Sequence, residues 1–192
     1  MRYRLYCWTI ISNAEELQVG NPLFRPNTLI NTLLAVLVLF SGQVQSGDRD
    51  KLLGAARETI NAARYAALIS IDETGQPRSR TVDAFPPDEN FVVWIATRPV
   101  TRKVKKIRNN AKVTLYYWHS ESRSYVSIMG VATIVDDVAV KNRMRREADS
   151  DKLYPNFPAD YLLIKIQPKA LEGVLPGYRG DSITWAPARA VF

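Results

Sequence analysis

Between residues 48 and 63, apolar side chains fall at Leu52, Leu53, Ala56, Ile60 and Ala63, the spacing of one helix face. Asp48 precedes them as a candidate N-cap, so the stretch predicts an amphipathic opening helix. The pattern then changes to short strand-like runs at 65–71, 78–85 and 91–96. These are separated by Glu73-Thr74-Gly75-Gln76 and by Pro86-Pro87-Asp88, which predicts an antiparallel meander. A basic helix from Thr101 to about Asn110 interrupts it, and strands resume at 112–118 and 125–135. A second charged helix is predicted at 136–148, then strands at 161–166 and 170–175. Six or more short strands with helices inserted among them predict a mainly β fold, a closed or nearly closed barrel. The chain shows no internal repeat and no low-complexity segment.

Residues 1–46 differ in character from the rest. Leu29 to Phe40 is mostly apolar, interrupted by Asn31 and Thr32, and is too short to span a bilayer. Val44 and Ser46 occupy positions that suit signal-peptidase cleavage after Ser46. The expectation is an N-terminal extension with a signal peptide at 1–46 and an exported, periplasmic domain at 47–192. The competing reading makes the apolar run part of the folded domain of a cytoplasmic protein. The stretch ahead of the run, in which Arg25 is the nearest positive charge, is longer than a signal peptide's usual basic leader, and a start site assigned too far upstream is one explanation.

Composition narrows the function. With 46% hydrophobic and 23% charged residues, the chain reads as one globular domain. A net charge of +7, falling only to +6 if residues 1–46 are removed, favours an anionic partner. Nucleic acid, a membrane surface and a phosphorylated small molecule all qualify. Cys7 is the only cysteine and His119 the only histidine. An internal disulfide framework, a thiolate metal cluster and a histidine-rich metal site are therefore excluded within one chain. Redox chemistry would need a bound cofactor.

The segment from Ile95 to Lys103 carries the most chemistry: a strand ends, a turn containing Pro99 follows, and a basic helix begins. Free N–H groups at a helix start, with the positive end of its dipole, suit an anion. Thr97 and Thr101 can add hydroxyls, Arg102 a planar fork of donors and Lys103 a compact charge. On the preceding strand, Arg78, Arg80 and Val82 share one face by period two. Taken alone, two such arginines describe a solvated outer face.

Thr97, then Thr101-Arg102-Lys103, Ile107 and Asn109-Asn110 ahead of the strand that runs to His119, resembles the flavin-phosphate segment of pyridoxamine 5′-phosphate oxidases and related general stress flavoproteins. Thr101 stands where the family has serine and keeps the hydroxyl. The resemblance runs from about Leu52 to Leu175 and includes Gly130, expected to end the long strand near the family's glycine. It implies an FMN-binding split β-barrel working as a homodimer, with sites formed between two subunits. Arg80, Arg102 and Lys103 would hold the FMN phosphate, with Thr97 and Thr101 as hydroxyl partners. Thr81, Val82 and Ala96 would lie against the flavin through backbone. Tyr125 falls where the oxidases carry glutamine at the flavin ring.

The resemblance also has departures. Phe85 stands near the position of a lysine in the vitamin-processing enzymes, and the C-terminal segment from Thr184 to Phe192 lacks their Arg-x-His. Oxidation of pyridoxamine phosphate is therefore not expected. The implied activity is that of an FMN-dependent oxidoreductase on an unidentified small-molecule substrate or electron donor, with no catalytic residue identifiable. Alternatives from other classes are a flavin or deazaflavin carrier without turnover, and a haem protein ligated by His119. A further alternative is a nucleic-acid surface built from the basic residues of 98–108 and Tyr116, Tyr117 and Trp118. The acidic groups Asp136-Asp137 and 147–151 read as helix caps and surface pairs, not metal ligands. No nucleic-acid partner, metal or stable membrane span is expected.

Overall fold

The computed structural model describes residues 47–192, so the expected signal segment lies outside the described residues. Helix α1 (47–63) buries Leu52, Ala56 and Ile60 in the main core. Asp48 lies within this helix, not at its cap, since Gly47 is already helical. The Arg57 guanidinium donates to the carbonyls of Pro87 and Asp88 at 2.7 and 3.0 Å, tying α1 to the connection between two strands.

The remaining elements follow as β1 (Ala66–Ile71), β2 (Pro77–Val82), β3 (Val93–Thr97), α2 (Arg102–Asn109), β4 (Lys112–His119), β5 (Ser124–Val135), α3 (Val138–Met144), β6 (Leu162–Val174) and β7 (Ala188–Val191). The strands form one seven-stranded antiparallel sheet in the order β2-β1-β4-β5-β6-β3, with β7 also on β6. Just past β2, Ala84 bridges Ile95 of β3, and the Phe85 N–H donates to the Trp94 carbonyl at 2.8 Å. That link joins the two ends of the sheet, so the expected barrel with inserted helices is what the chain adopts.

Alternation along the strands sorts the side chains. Leu68, Leu115, Ile128 and Leu171 point inward and are fully buried; each contributes about 1.5–3 kcal/mol by leaving water. Helix α2 packs on β1 and β5 through Val104 and Ile107. A second apolar cluster, around Phe85, Tyr154, Tyr161 and Leu163, receives Val140 and Met144 of α3.

Several elements depart from the sequence pattern. The two strands expected at 161–166 and 170–175 are one strand, β6, running through Pro168. Pro168 sits opposite Gly130 at the bulge between Met129 and Gly130, an irregular point of the ladder that tolerates a missing N–H. Gly130 is thus inside β5 and does not end it. Its absent Cβ would stand 2.4 Å from the Gln167 carbonyl oxygen, so the bulge admits no side chain. Helix α3 ends at Met144, well short of 148, because Arg145 and Arg146 turn away to the 149–151 segment. Asp137 caps α3 as expected, accepting from the Val140 N–H at 2.8 Å. Asp149 is not a surface partner; it is 3% exposed. Strand β7 has no counterpart in the sequence reading.

Candidate phosphate-binding site

Strand β3 ends on Thr97, which is buried, and the chain turns through Arg98, Pro99 and Val100 into α2. Thr101 takes the extended N-cap conformation, yet its side chain makes no capping hydrogen bond. Its hydroxyl donates to the Arg98 carbonyl at 3.0 Å and lies 3.2 Å from the Thr97 hydroxyl. Lys103, in the first turn of α2, donates from Nζ to Thr97 Oγ1 at 2.8 Å. The backbone N–H groups of Arg102 and Lys103 have no acceptor among the described residues, and the first turn contains no acidic residue. Two threonine hydroxyls, two free N–H groups and a lysine therefore meet at one helix start.

Arg80 joins them from β2. Its register partner is Leu68, so it shares the inward side of the sheet with Val82 and lies near α2. The Arg80 Nε is buried and finds no hydrogen-bond acceptor among the described residues. Burial lowers the basicity of Arg80, and the neighbouring Arg102 charge lowers it further. For Lys103, burial and then the Arg80 charge hold the ammonium below the ordinary lysine range. Arg80 and Lys103 thus gather positive charge beside Arg102, with the buried Arg80 Nε as a further donor. A phosphate would match such a cluster with dianionic charge and several acceptor oxygens. The residues present fit the phosphate end of FMN.

The structure divides the other expected residues. Arg78 lies outside the cluster, paired with Asp72 at 2.8 Å. Arg98 also points elsewhere, donating from Nε to the Leu153 carbonyl at 2.8 Å. Val82 is buried, Thr81 exposed and Ala96 half-buried, all on the strands that bear Arg80 and Thr97. Tyr125 is not brought to the cluster within one chain. Along β6 it pairs with Val174 whereas Ala96 pairs with Leu163, eleven residues away, about 35 Å of strand. Tyr125 instead stacks on Tyr116, ring centroids 5.4 Å apart, on the outward side of the sheet. His119 Nδ1 lies 2.8 Å from the Ser122 hydroxyl, a local turn contact. Among the described residues there is no group of His, Cys, Asp and Glu that could hold a metal, and no helix long and apolar enough to cross a membrane.

One network was legible in the sequence only as surface pairing among residues 147–151. Arg146 bonds the buried Asp149 at 3.0 Å, lies 3.7 Å from Asp83, and places its guanidinium 4.0 Å from the Phe85 ring centroid. Tyr161 donates its hydroxyl to Asp149 at 2.9 Å. These residues come from three separated parts of the chain, 83–85, 146–149 and 161; Arg146 and Asp149 stand three residues apart, but no local spacing links them to the other two.

Comparison with known proteins agrees with this fold. The crystal structure of general stress protein 26 from Bacillus anthracis superposes with a TM-score of 0.58 at 24% identity, over 73% of this chain and 98% of that one. A general stress protein 26-related protein from Clostridium acetobutylicum gives 0.62 at 17% identity, over 74% and 95% of the two chains. A pyridoxamine 5′-phosphate oxidase-related, FMN-binding protein from Nostoc punctiforme gives 0.54 at 15%, over 75% and 95%. At such identities these likenesses show the fold, a split β-barrel. No protein of curated function matches the chain. The sequence profile of pyridoxamine 5′-phosphate oxidase matches residues 52–174, well over half of the chain, and the protein belongs to the pyridoxamine 5′-phosphate oxidase family.

Proposed function

We propose that the protein binds FMN through its phosphate and works as an FMN-dependent oxidoreductase on a small molecule. The observation that carries this reading is the convergence of Arg80, Arg102 and Lys103, with the Arg80 Nε left unpaired. Arg80, Arg102 and Lys103 would neutralise the phosphate, and Thr97, Thr101 and the free N–H groups of α2 would fix its oxygens. When bound, FMN supplies the hydride and electron chemistry itself. The chain contributes binding and orientation, so the lack of a paired acid and base is no obstacle. Thr81, Val82 and Ala96 would line the path of the ring by backbone.

A second copy of the chain completes this reading. Tyr125 lies far from Thr97 along the sheet, so a ring contact from Tyr125 requires the tyrosine of a partner. The outward side of β1, β4 and β5 supports such a pair. It carries Ile69, Ile71, Met129 and Val131 around a shallow apolar depression of about 400 Å³.

The test is an absorption spectrum of the purified protein before and after FMN, beside an Arg102→Ala/Lys103→Ala variant. Retained flavin bands in the wild type that the variant loses support the site. A folded wild type that takes up no FMN overturns it. Bleaching of bound flavin by nicotinamide donors under anaerobic conditions tests turnover, and mass measurement in solution tests the dimer.

A further inference from the structure

Beyond Val82 the chain enters a second cavity, of about 280 Å³, near the closing bridge of the barrel. Residues of α1, the 83–86 segment, β4 and the loop after α3 line it. Its size is near the lower limit for small-molecule pockets. Ile60, Ala84 and Pro86 supply apolar wall.

The polar lining is mostly donors. Tyr117 is 1% exposed, and its hydroxyl has no hydrogen-bond partner among the described residues. Leaving such a group unpaired costs about 1–3 kcal/mol, which an occupant offering an oxygen would recover. Arg64, also on the lining, has no carboxylate partner among the described residues, and its guanidinium lies over the Tyr65 ring at 5.1 Å. It follows α1 in a left-handed conformation, φ 59°, its N–H held by the Ile60 carbonyl at 3.0 Å. Asn61 adds an amide beside it. The acidic group of the lining, Asp83, faces Arg146 at 3.7 Å.

We propose that this cavity binds a small aromatic monocarboxylate, its ring on the apolar wall and its carboxylate held by Arg64, Asn61 and the Tyr117 hydroxyl. A hydroxyl donor buried at the wall and an unpaired guanidinium at the rim are complementary to one acidic group on a compact apolar body. The proposal does not rest on the flavin reading, because none of its groups belongs to the Arg80, Arg102 and Lys103 cluster.

The probes are benzoate and its neutral isostere benzamide, titrated calorimetrically into the full-length protein with and without FMN. Tyr117→Phe keeps the ring, and Arg64→Asn keeps a residue that tolerates the left-handed backbone. Benzoate should bind the wild type, bind benzamide's site at least about tenfold more tightly than benzamide does, and lose about tenfold in each variant. Binding of benzoate that neither variant weakens, equal binding of benzamide, or no binding at all would overturn the proposal. Because the Arg102→Ala/Lys103→Ala variant should still bind benzoate, failure of FMN uptake and failure of this site are separately visible.

Discussion

Lys103 reaches back across the β3–α2 turn to donate to the Thr97 hydroxyl at 2.8 Å, although its charge stands against that of Arg80. A neutral hydroxyl is a weak partner for a partly buried ammonium, and a phosphate would replace it with a full charge. Lys103→Met should therefore weaken FMN binding by about tenfold or more, measured by flavin fluorescence titration, while the apo form stays at least as stable. Inorganic phosphate should raise the melting temperature of the wild type and leave the variant nearly unmoved, since a ligand that binds only the folded state adds to stability by mass action.

The same lysine makes a prediction about pH. Burial and Arg80 lower its folded value below the 10.5 of an unfolded lysine. In the window between the two values the unfolded chain holds more protons, so the stability of the apo protein rises with pH there. Above about pH 10, Tyr117 and Tyr161 act in the opposite direction, because burial raises both hydroxyls and only the unfolded chain ionises easily. The informative quantity is the stability difference between wild type and Lys103→Met in urea melts. It should shift in favour of the wild type as pH climbs towards 10.5, and a flat difference would show that Lys103 carries no penalty.

How legible a residue was depended on how local its partners are. The span from Thr97 to Asn110 could be read because a strand end, a turn and a helix start are contiguous there. The shared face of Arg78 and Arg80 followed from strand alternation, but not that Arg78 goes to Asp72 while Arg80 is drawn in beside α2. Pro168 made one strand look like two, since a proline ordinarily interrupts a ladder and the bulge that accommodates it lies on another strand. The short β7 exists through pairing with β6 alone, and the Arg146–Asp149 pair, only three residues apart, is joined to Tyr161 and Asp83 by the tertiary fold.

Glycines separate sites of close approach from sites of mere freedom. A Cβ on Gly173 would stand 2.3 Å from the Tyr125 carbonyl oxygen, a backbone atom that cannot move without disturbing the β5–β6 ladder. Gly173→Ala should cost about 2–3 kcal/mol in denaturant unfolding, and Gly130→Ala a similar amount. Gly54 is in helix α1 with nothing within 4 Å of the added carbon. Gly54→Ala should instead stabilise the protein by about 0.5–1 kcal/mol through helix propensity.

Asp149 anchors the loop that leads from α3 to β6. Burial pushes its carboxyl up, but hydrogen bonds from the Arg146 side chain and backbone and from Tyr161 outweigh burial and hold it below the ordinary carboxylate value. A depressed folded value means that its contribution is complete above the unfolded value of 3.8 and is lost as pH falls through the folded one. Asp149→Asn removes the charge and leaves Arg146 facing Asp83 alone, while keeping the size of the side chain. Breaking one partner of a buried pair costs about 3–5 kcal/mol, so the variant should melt markedly lower at neutral pH. Its deficit against the wild type should shrink in acid, because protonation of the wild-type carboxyl removes the same charge. A deficit that stays constant from neutral pH into acid would show that packing, and not the ion pair, holds this loop to the barrel.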